Sequence, residues 1–142
     1  MERSLILVKP DAVIRGLSGA ILSRLEAIGL KMVALKLMQI DRDLAMRHYA
    51  VHKDKPFFPG LITYITSAPV AAAVFEGDNA IARIRELMGP TNPVKAGPGT
   101  LRKDFGIDIE RNAIHGSDST ETAKTEIKLF FTEREFVSYK RE

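Results

Sequence analysis

The first stretch dominated by apolar residues is Ser4-Leu-Ile-Leu-Val-Lys9, an unbroken run ended by Lys-Pro-Asp. Continuous apolarity over so few residues predicts a central strand covered on both faces. From Ser18 the period changes. Ile21, Leu22, Leu25 and Ile28 recur at helical spacing, with Ser18 placed to cap the helix and Gly29 to end it. Lys31 to Ile40 then alternates, Val33, Leu35 and Leu37 on one side and Met32, Ala34 and Met38 on the other, which predicts a second strand with both faces largely covered. Asp41 is placed to cap a short helix carrying Leu44, Ala45, His48 and Tyr49. Lys55-Pro-Phe-Phe-Pro-Gly60 breaks it, and Phe58, Leu61, Ile62 and Ile65 predict another short helix.

Val70 to Phe75, small and apolar after Pro69, reads as a third buried strand, followed by a helix over 78–88 with Ile81, Ile84, Leu87 and Met88 facing inward. Gly89 to Gly99 is rich in glycine and proline and predicts a loop with a task of its own. A short fourth strand is expected near Ala113 to His115, and Asp118 with Glu121 forms the pattern of a capping box for the last helix. This order predicts an α+β fold: a ferredoxin-like βαββαβ core, an antiparallel sheet with helices packed on it and an inserted loop near residues 89–112. Repeats and linkers are absent, and 142 residues sit inside the roughly 100–200 expected of one domain, so residues 1–142 are read as a single domain.

Composition narrows the classes. Hydrophobic residues make up 45% of the chain, enough for a core and too many for a disordered or collagen-like protein. With no cysteine, neither disulfides nor thiolate metal sites are possible. The longest apolar runs are too short to span a bilayer, and a strand-like segment begins within the first five residues rather than a leader, so a cytoplasmic protein without a membrane role is expected. The net charge of +3 suits an anionic ligand without choosing one.

There is no Walker A motif, and Gly97-Pro-Gly-Thr-Leu-Arg102 is not GxGxxG, so any bound phosphate must be met by side chains. Arg85, Thr91, Arg102 and Asn112 are candidates, arginine being a delocalised bidentate donor. Arg83 and Arg111 read as solvated surface charges. His115 lies in Asn112-Ala-Ile-His-Gly-Ser-Asp-Ser119, where small or polar neighbours leave its ring accessible and a helix N-terminus follows. Glu126 falls on the inward stripe of the last helix with Ala123, Ile127 and Phe130, away from Lys124 and Lys128. A buried carboxylate requires a partner, and His115 and Ser117 are within reach in sequence. Such a partner would fix the imidazole tautomer and leave the other nitrogen nucleophilic. Periodicity alone leaves this balanced against a glutamate at the helix edge reaching solvent.

The segment Asn112 to Ser119 resembles the NxxHGSDS signature of nucleoside diphosphate kinases. Lys9-Pro-Asp11, Lys55-Pro-Phe-Phe58, Gly89-Pro-Thr-Asn-Pro93 and Pro98-Gly-Thr-Leu-Arg102 resemble further motifs of that family, in order, over residues 3–137. The resemblance implies an Mg²⁺-dependent phosphotransferase that takes the γ-phosphate of a nucleoside triphosphate onto His115 and passes it to a nucleoside diphosphate in a ping-pong cycle. It assigns Glu126 to orienting the ring, Ser117 to bonding that carboxylate, and Lys9 to the transferred phosphate and the ribose 3′-hydroxyl. Asn112 would bond the sugar, and Tyr49 would hold the lysine. Arg85, Thr91 and Arg102 would bind phosphates, and Phe57 would stack on the base between Leu61 and Ile109. Magnesium would ride on the nucleotide phosphates, with Asp118 near it through water. A homo-oligomer, tetramer or hexamer, is implied as well.

Lys103, Ala68 and Phe75 depart from residues frequent in the family, as does Ile109, but none removes a group assigned to chemistry. His48 and His52 carry no such match and read as structural or surface residues. A ferredoxin-like nucleic-acid-binding module would fit the charge and the element order. It predicts paired aromatics on the central strands; Leu5 to Val8 has none, and Phe75 stands at the end of strand three. No nucleic acid is required by the reading.

Overall fold

A computed structural model describes all residues from Met1 to Glu142. Strands β1 (Glu2–Val8), β2 (Lys31–Met38), β3 (Val70–Gly77) and β4 (Ile114–Gly116) form one antiparallel sheet in the order β2-β3-β1-β4. Helices α1 (Pro10–Ile14), α2 (Ser18–Ala27), α3 (Arg42–His48), α4 (Phe58–Ile65), α5 (Ala80–Met88), α6 (Leu101–Phe105) and α7 (Thr120–Phe130) pack on it. The order and antiparallel pairing are those of the expected ferredoxin-like core.

The apolar run of β1 divides between two cores. Ile6 and Val8 join Phe75, Ile21, Leu25 and Ile84 on one face, while Leu5 and Leu7 join Val74, Ile62, Ile65 and Phe130 on the other. All four of these β1 side chains are fully buried, each stabilising the fold by roughly 1.5–3 kcal/mol through apolar surface removed from water. This centrality makes β1 a rigid floor for the residues that follow it.

Four local expectations are corrected. β2 is an edge strand, and Leu35 and Leu37 are 52% and 69% exposed, so its outer half is uncovered. A bulge between Met32 and Ala34 breaks its alternation and buries Val33 and Ala34 together. Ser18 is the first residue of α2, and Leu17 is its N-cap with no side-chain bond. The capping box of α7 is Ser119 with Thr122, one residue later than expected; Asp118 instead accepts from the Thr122 hydroxyl at 2.6 Å. Finally, the 89–112 segment is not wholly irregular. It holds a 3₁₀ turn at Pro93–Lys95 and α6, capped by the Thr100 hydroxyl. Helix α1 is a further element that periodicity does not announce. Pro10 at its first turn needs no N–H partner there, so the Lys-Pro-Asp motif starts a helix as well as ending a strand.

Candidate active site

β4 pairs with β1 so that His115 lies opposite Leu7. Its neighbours Ile114 and Gly116 are buried among the α5 side of the sheet, so His115 points to the other face, toward α3 and α7. A Cβ at Gly116 would lie 2.6 Å from the Met88 sulfur and 3.1 Å from Ile84, so any side chain there would force Met88 to shift.

The His115 Nε2 lies 3.2 Å from both Glu126 carboxylate oxygens. The Ser117 hydroxyl donates to Glu126 Oε1 at 2.6 Å and accepts from the Leu5 N–H at 3.0 Å. The Ser117 N–H in turn donates to the Ser4 hydroxyl at 3.1 Å. The acid on α7, the imidazole on β4 and the floor strand β1 are thereby tied together. Burial pushes the Glu126 carboxyl up, but the His115 bond and charge, with the Ser117 bond, outweigh it and hold the group below its usual range. A charged carboxylate on Nε2 keeps a proton there and leaves Nδ1 with a free lone pair. The helix-edge alternative for Glu126 is thereby excluded.

Above this pair opens a cleft of about 880 Å³, the size of a nucleotide-class ligand site. Cations gather on it from three elements. Lys9 is 7% exposed and donates to the Glu110 carbonyl at 2.9 Å and Asn112 Oδ1 at 2.8 Å. Burial, reinforced by the Arg102 charge, lowers its pKa to about 8. Arg102, also 7% exposed, donates to the carbonyls of Gly89 and Ile114, while its Nε has no partner. Burial and the charge of Arg85 lower its pKa to about 10, which leaves it a cation at neutral pH. Arg85 reaches the Gly116 carbonyl at 3.4 Å.

Asn112, 3% exposed, uses its amide nitrogen on the Thr91 and Ile109 carbonyls at 3.0 and 3.2 Å, so it braces the loop as well as the lysine. At the mouth, Phe57 and Ile109 are 51% and 63% exposed and flank a half-buried Leu61. Asp118 lines the rim. Every residue assigned to the site by sequence therefore lines one cleft, apart from Ser117, which braces Glu126 beneath it.

The role expected of Tyr49 is corrected. The Lys9 ammonium is held by Asn112 and Glu110, with the Tyr64 ring 5.3 Å below it. Tyr49 lines the cleft with its ring edge-on to His48 at 4.7 Å, and burial, with the Glu126 charge, raises its hydroxyl to about 12. His48 is no surface residue. Its side chain is 1% exposed, and its ring meets that of His115 at 4.8 Å and Phe130 at 5.4 Å, both edge-on. Burial and the neighbouring His115 lower its pKa to about 3, so it is a neutral wall behind the imidazole. Arg83, expected to be solvated, bonds the Ile28 and Asp78 carbonyls and pins α5 to the end of α2. Arg111 is exposed and paired with Asp108 at 2.7 Å. Asp11, Tyr64 and Glu110 escape sequence reasoning as supports because their partners lie about 50 to 100 residues away in the chain.

His48, His115 and Glu126 place ligand atoms within 4.8 Å of one another. Two imidazoles and a carboxylate already held by Ser117 do not suit magnesium, which demands oxygen ligands in octahedral array. Any such ion must bring its oxygens with it.

Fold and cleft together define the class: an α+β protein with a cationic pocket for an anionic ligand and a steered imidazole at its floor. Residues 2–136 match the family model described as nucleoside diphosphate kinase. Proteins named nucleoside diphosphate kinase from Dehalococcoides mccartyi and Carboxydothermus hydrogenoformans are 59% and 60% identical over 141 residues, covering 99% of this chain and 99% and 95% of theirs. The solved structure of a halophilic nucleoside diphosphate kinase from Halobacterium salinarum in complex with CDP superposes with a TM-score of 0.96 at 52% identity, over 99% of this chain and 94% of that one. This chain belongs to the nucleoside diphosphate kinase family and is an enzyme of phosphoryl transfer between nucleotides.

Proposed function

We propose that the chain, acting as a single domain of residues 1–142, carries the γ-phosphate of a nucleoside triphosphate to a nucleoside diphosphate through Nδ1 of His115. The observation that supports this most is the Glu126 carboxylate seated on Nε2, which makes the opposite nitrogen the nucleophile. In the first half-reaction the Nδ1 lone pair attacks the γ-phosphorus and the bond to the β–γ bridging oxygen breaks, releasing a diphosphate. In the second, an acceptor diphosphate oxygen takes the phosphoryl group and the imidazole returns to its starting state. Phosphoryl transfer needs positioning and charge stabilisation above all. Lys9, Arg85 and Arg102 supply cations, Thr91 a further polar contact on the phosphates, and Asn112 a bond to the sugar. Tyr49 forms part of the sugar-side wall.

Magnesium is part of the proposal as an ion bound by the nucleotide's own phosphates, with the Asp118 carboxylate at the rim reaching it through water. It supplies charge neutralisation on the leaving diphosphate. Because Lys9 must be protonated to meet phosphate, and its pKa in the free protein is about 8, kcat/KM is expected to fall about tenfold per pH unit above that value. A profile flat to about pH 10 would remove Lys9 from this role.

Phe57 at the mouth, with Leu61 and Ile109 beside it, is the proposed base platform. Stacking on a ring is tolerant, since every base has a π-face, so acceptor preference among diphosphates is expected to stay below about a thousandfold, or about 4 kcal/mol. Phe57→Ala is expected to raise KM about tenfold with kcat nearly unchanged, in line with roughly 1–3 kcal/mol per stacked base. A kcat loss at constant KM would place Phe57 elsewhere in the mechanism.

A homo-oligomer, tetramer or hexamer, is also proposed, supported by exposed Leu35 and Leu37 on the free edge of β2, and light scattering tests it. No helix is long and apolar enough to cross a membrane. A cytoplasmic setting belongs to the same proposal, and nucleic acid has no part in it.

A further inference from the structure

The geometry points to Asp11 as a positioning residue that acts on His115 through the backbone of Ala113. Ala113 is fully buried and has φ +73°, a region that side chains other than glycine adopt only when the surroundings over-determine it. The chain turns there tightly enough for the Ile114 N–H to reach the Asn112 carbonyl at 2.9 Å, an i→i+2 bond. Both peptide groups of Ala113 are held from the other side of the site. Its N–H donates to Asp11 Oδ2 at 3.1 Å, and its carbonyl accepts from the Lys9 N–H at 2.9 Å.

Asp11 is itself clamped. Its carboxylate is 2% exposed, accepts from the Tyr64 hydroxyl on its other oxygen, and bonds Arg15 at 3.1 Å. The Asp11 N–H donates to the Tyr64 oxygen at 3.0 Å. Donors from the end of α1, from α4 and from the turn before β4 thus converge on one carboxylate whose use is not explained by contact with the cleft.

The position of the clamped turn gives it that use. Asn112, on one side of Ala113, holds the Lys9 ammonium; His115, two residues beyond, carries the proposed nucleophile. One carboxylate sets the spacing between the cation and the imidazole. If the turn relaxes to an ordinary φ, the Asn112 and His115 side chains move relative to each other while the cleft and the base platform persist. This inference rests on His115 being the group that is phosphorylated.

Pre-steady-state labelling of His115 by γ-labelled ATP tests it, alongside nucleotide affinity. Asp11→Ala is expected to slow labelling about a hundredfold, as for a displacement of about 1 Å at a reacting centre, with nucleotide Kd changed less than about threefold. Asp11→Asn, whose carbonyl oxygen can still accept from Ala113, is expected to recover labelling to within about fivefold of the unaltered protein.

The decisive arm is Ala113→Gly, because glycine adopts a φ of +73° without penalty. In that background the loss from Asp11→Ala should shrink to about tenfold or less. An equal loss in both backgrounds, or unaltered labelling in Asp11→Ala, overturns the proposal. Should Asp11→Ala fail to fold, Tyr64→Phe carries the same comparison. About a fivefold loss with Ala113 in place, and none in the Ala113→Gly background, supports the clamp; equal losses overturn it. If the unaltered protein takes no label at all, the reading of His115 fails, a result distinct from any difference between backgrounds.

Discussion

Replacing His115 with alanine is expected to lower steady-state phosphoryl transfer by about four orders of magnitude or more, the scale seen when a covalent nucleophile is removed from an otherwise intact site. No neighbour can take over. The chain has no cysteine, and His48, though its ring touches that of His115, is 1% exposed and walled in by Tyr49 and Phe130. Binding should survive, because the cations and the aromatic mouth belong to other elements. Nucleotide Kd is therefore expected to stay within a few-fold of that of the unaltered protein. A coupled assay of triphosphate formation, read beside a calorimetric titration, checks both halves. A residual rate above about one part in a thousand would demand a second nucleophile that the cleft does not offer.

The second large effect concerns Lys9, where activity and stability pull apart. Lys9→Met keeps most of the length of the side chain and removes its charge, and kcat is expected to fall about 10²- to 10³-fold, as for loss of one preorganised donor at developing charge. The same change should stabilise the protein at neutral pH. Burial depresses the lysine from 10.5 to about 8, so holding it charged in the folded state costs about 3 kcal/mol below pH 8. Part of this returns when methionine leaves Asn112 Oδ1 and the Glu110 carbonyl without their donor, at about 1 kcal/mol each, for a net gain of about 1 kcal/mol.

The sign of the pH dependence separates the two contributions. Between pH 8 and 10.5 the folded lysine has lost its proton while the unfolded one keeps it, so the unaltered protein gains stability as pH rises through that window. The advantage of Lys9→Met should therefore shrink across it. Denaturant titrations at about pH 7 and about pH 10 measure this directly. A Lys9→Met protein that is less stable at neutral pH would show that the two bonds outweigh the burial penalty.

What could be read from the sequence divides along physical lines. The apolar run Leu5–Val8 and the helical stripe of α7 announce themselves because burial selects residue types at fixed periods. The same stripe singles out Glu126, since a carboxylate among Ala123, Ile127 and Phe130 violates the pattern that surrounds it. Motif spacing locates the cations. Short-range competition hides other features: the α7 cap lies one residue along because Ser119 and Asp118 are both good caps, and the β2 bulge shifts a period that alternation alone cannot locate. The supports of the site stay out of view. Asp11 meets Ala113 across 102 residues, and Tyr64 meets Asp11 across 53. Those pairings exist only once β4 has docked against β1 and α4 has covered the other face. His48 eludes the sequence for a related reason, because its place on α3 gives no sign that its ring meets that of His115.

Which nitrogen of His115 carries phosphate tests the account most directly. In this structure Nε2 is engaged by Glu126, and the His115 ring lines the cationic cleft. Nitrogen-15 and phosphorus-31 spectra of the enzyme after reaction with a nucleoside triphosphate should show a single phosphoimidazole substituted at Nδ1. Phosphate on Nε2, or on any residue other than His115, would contradict it.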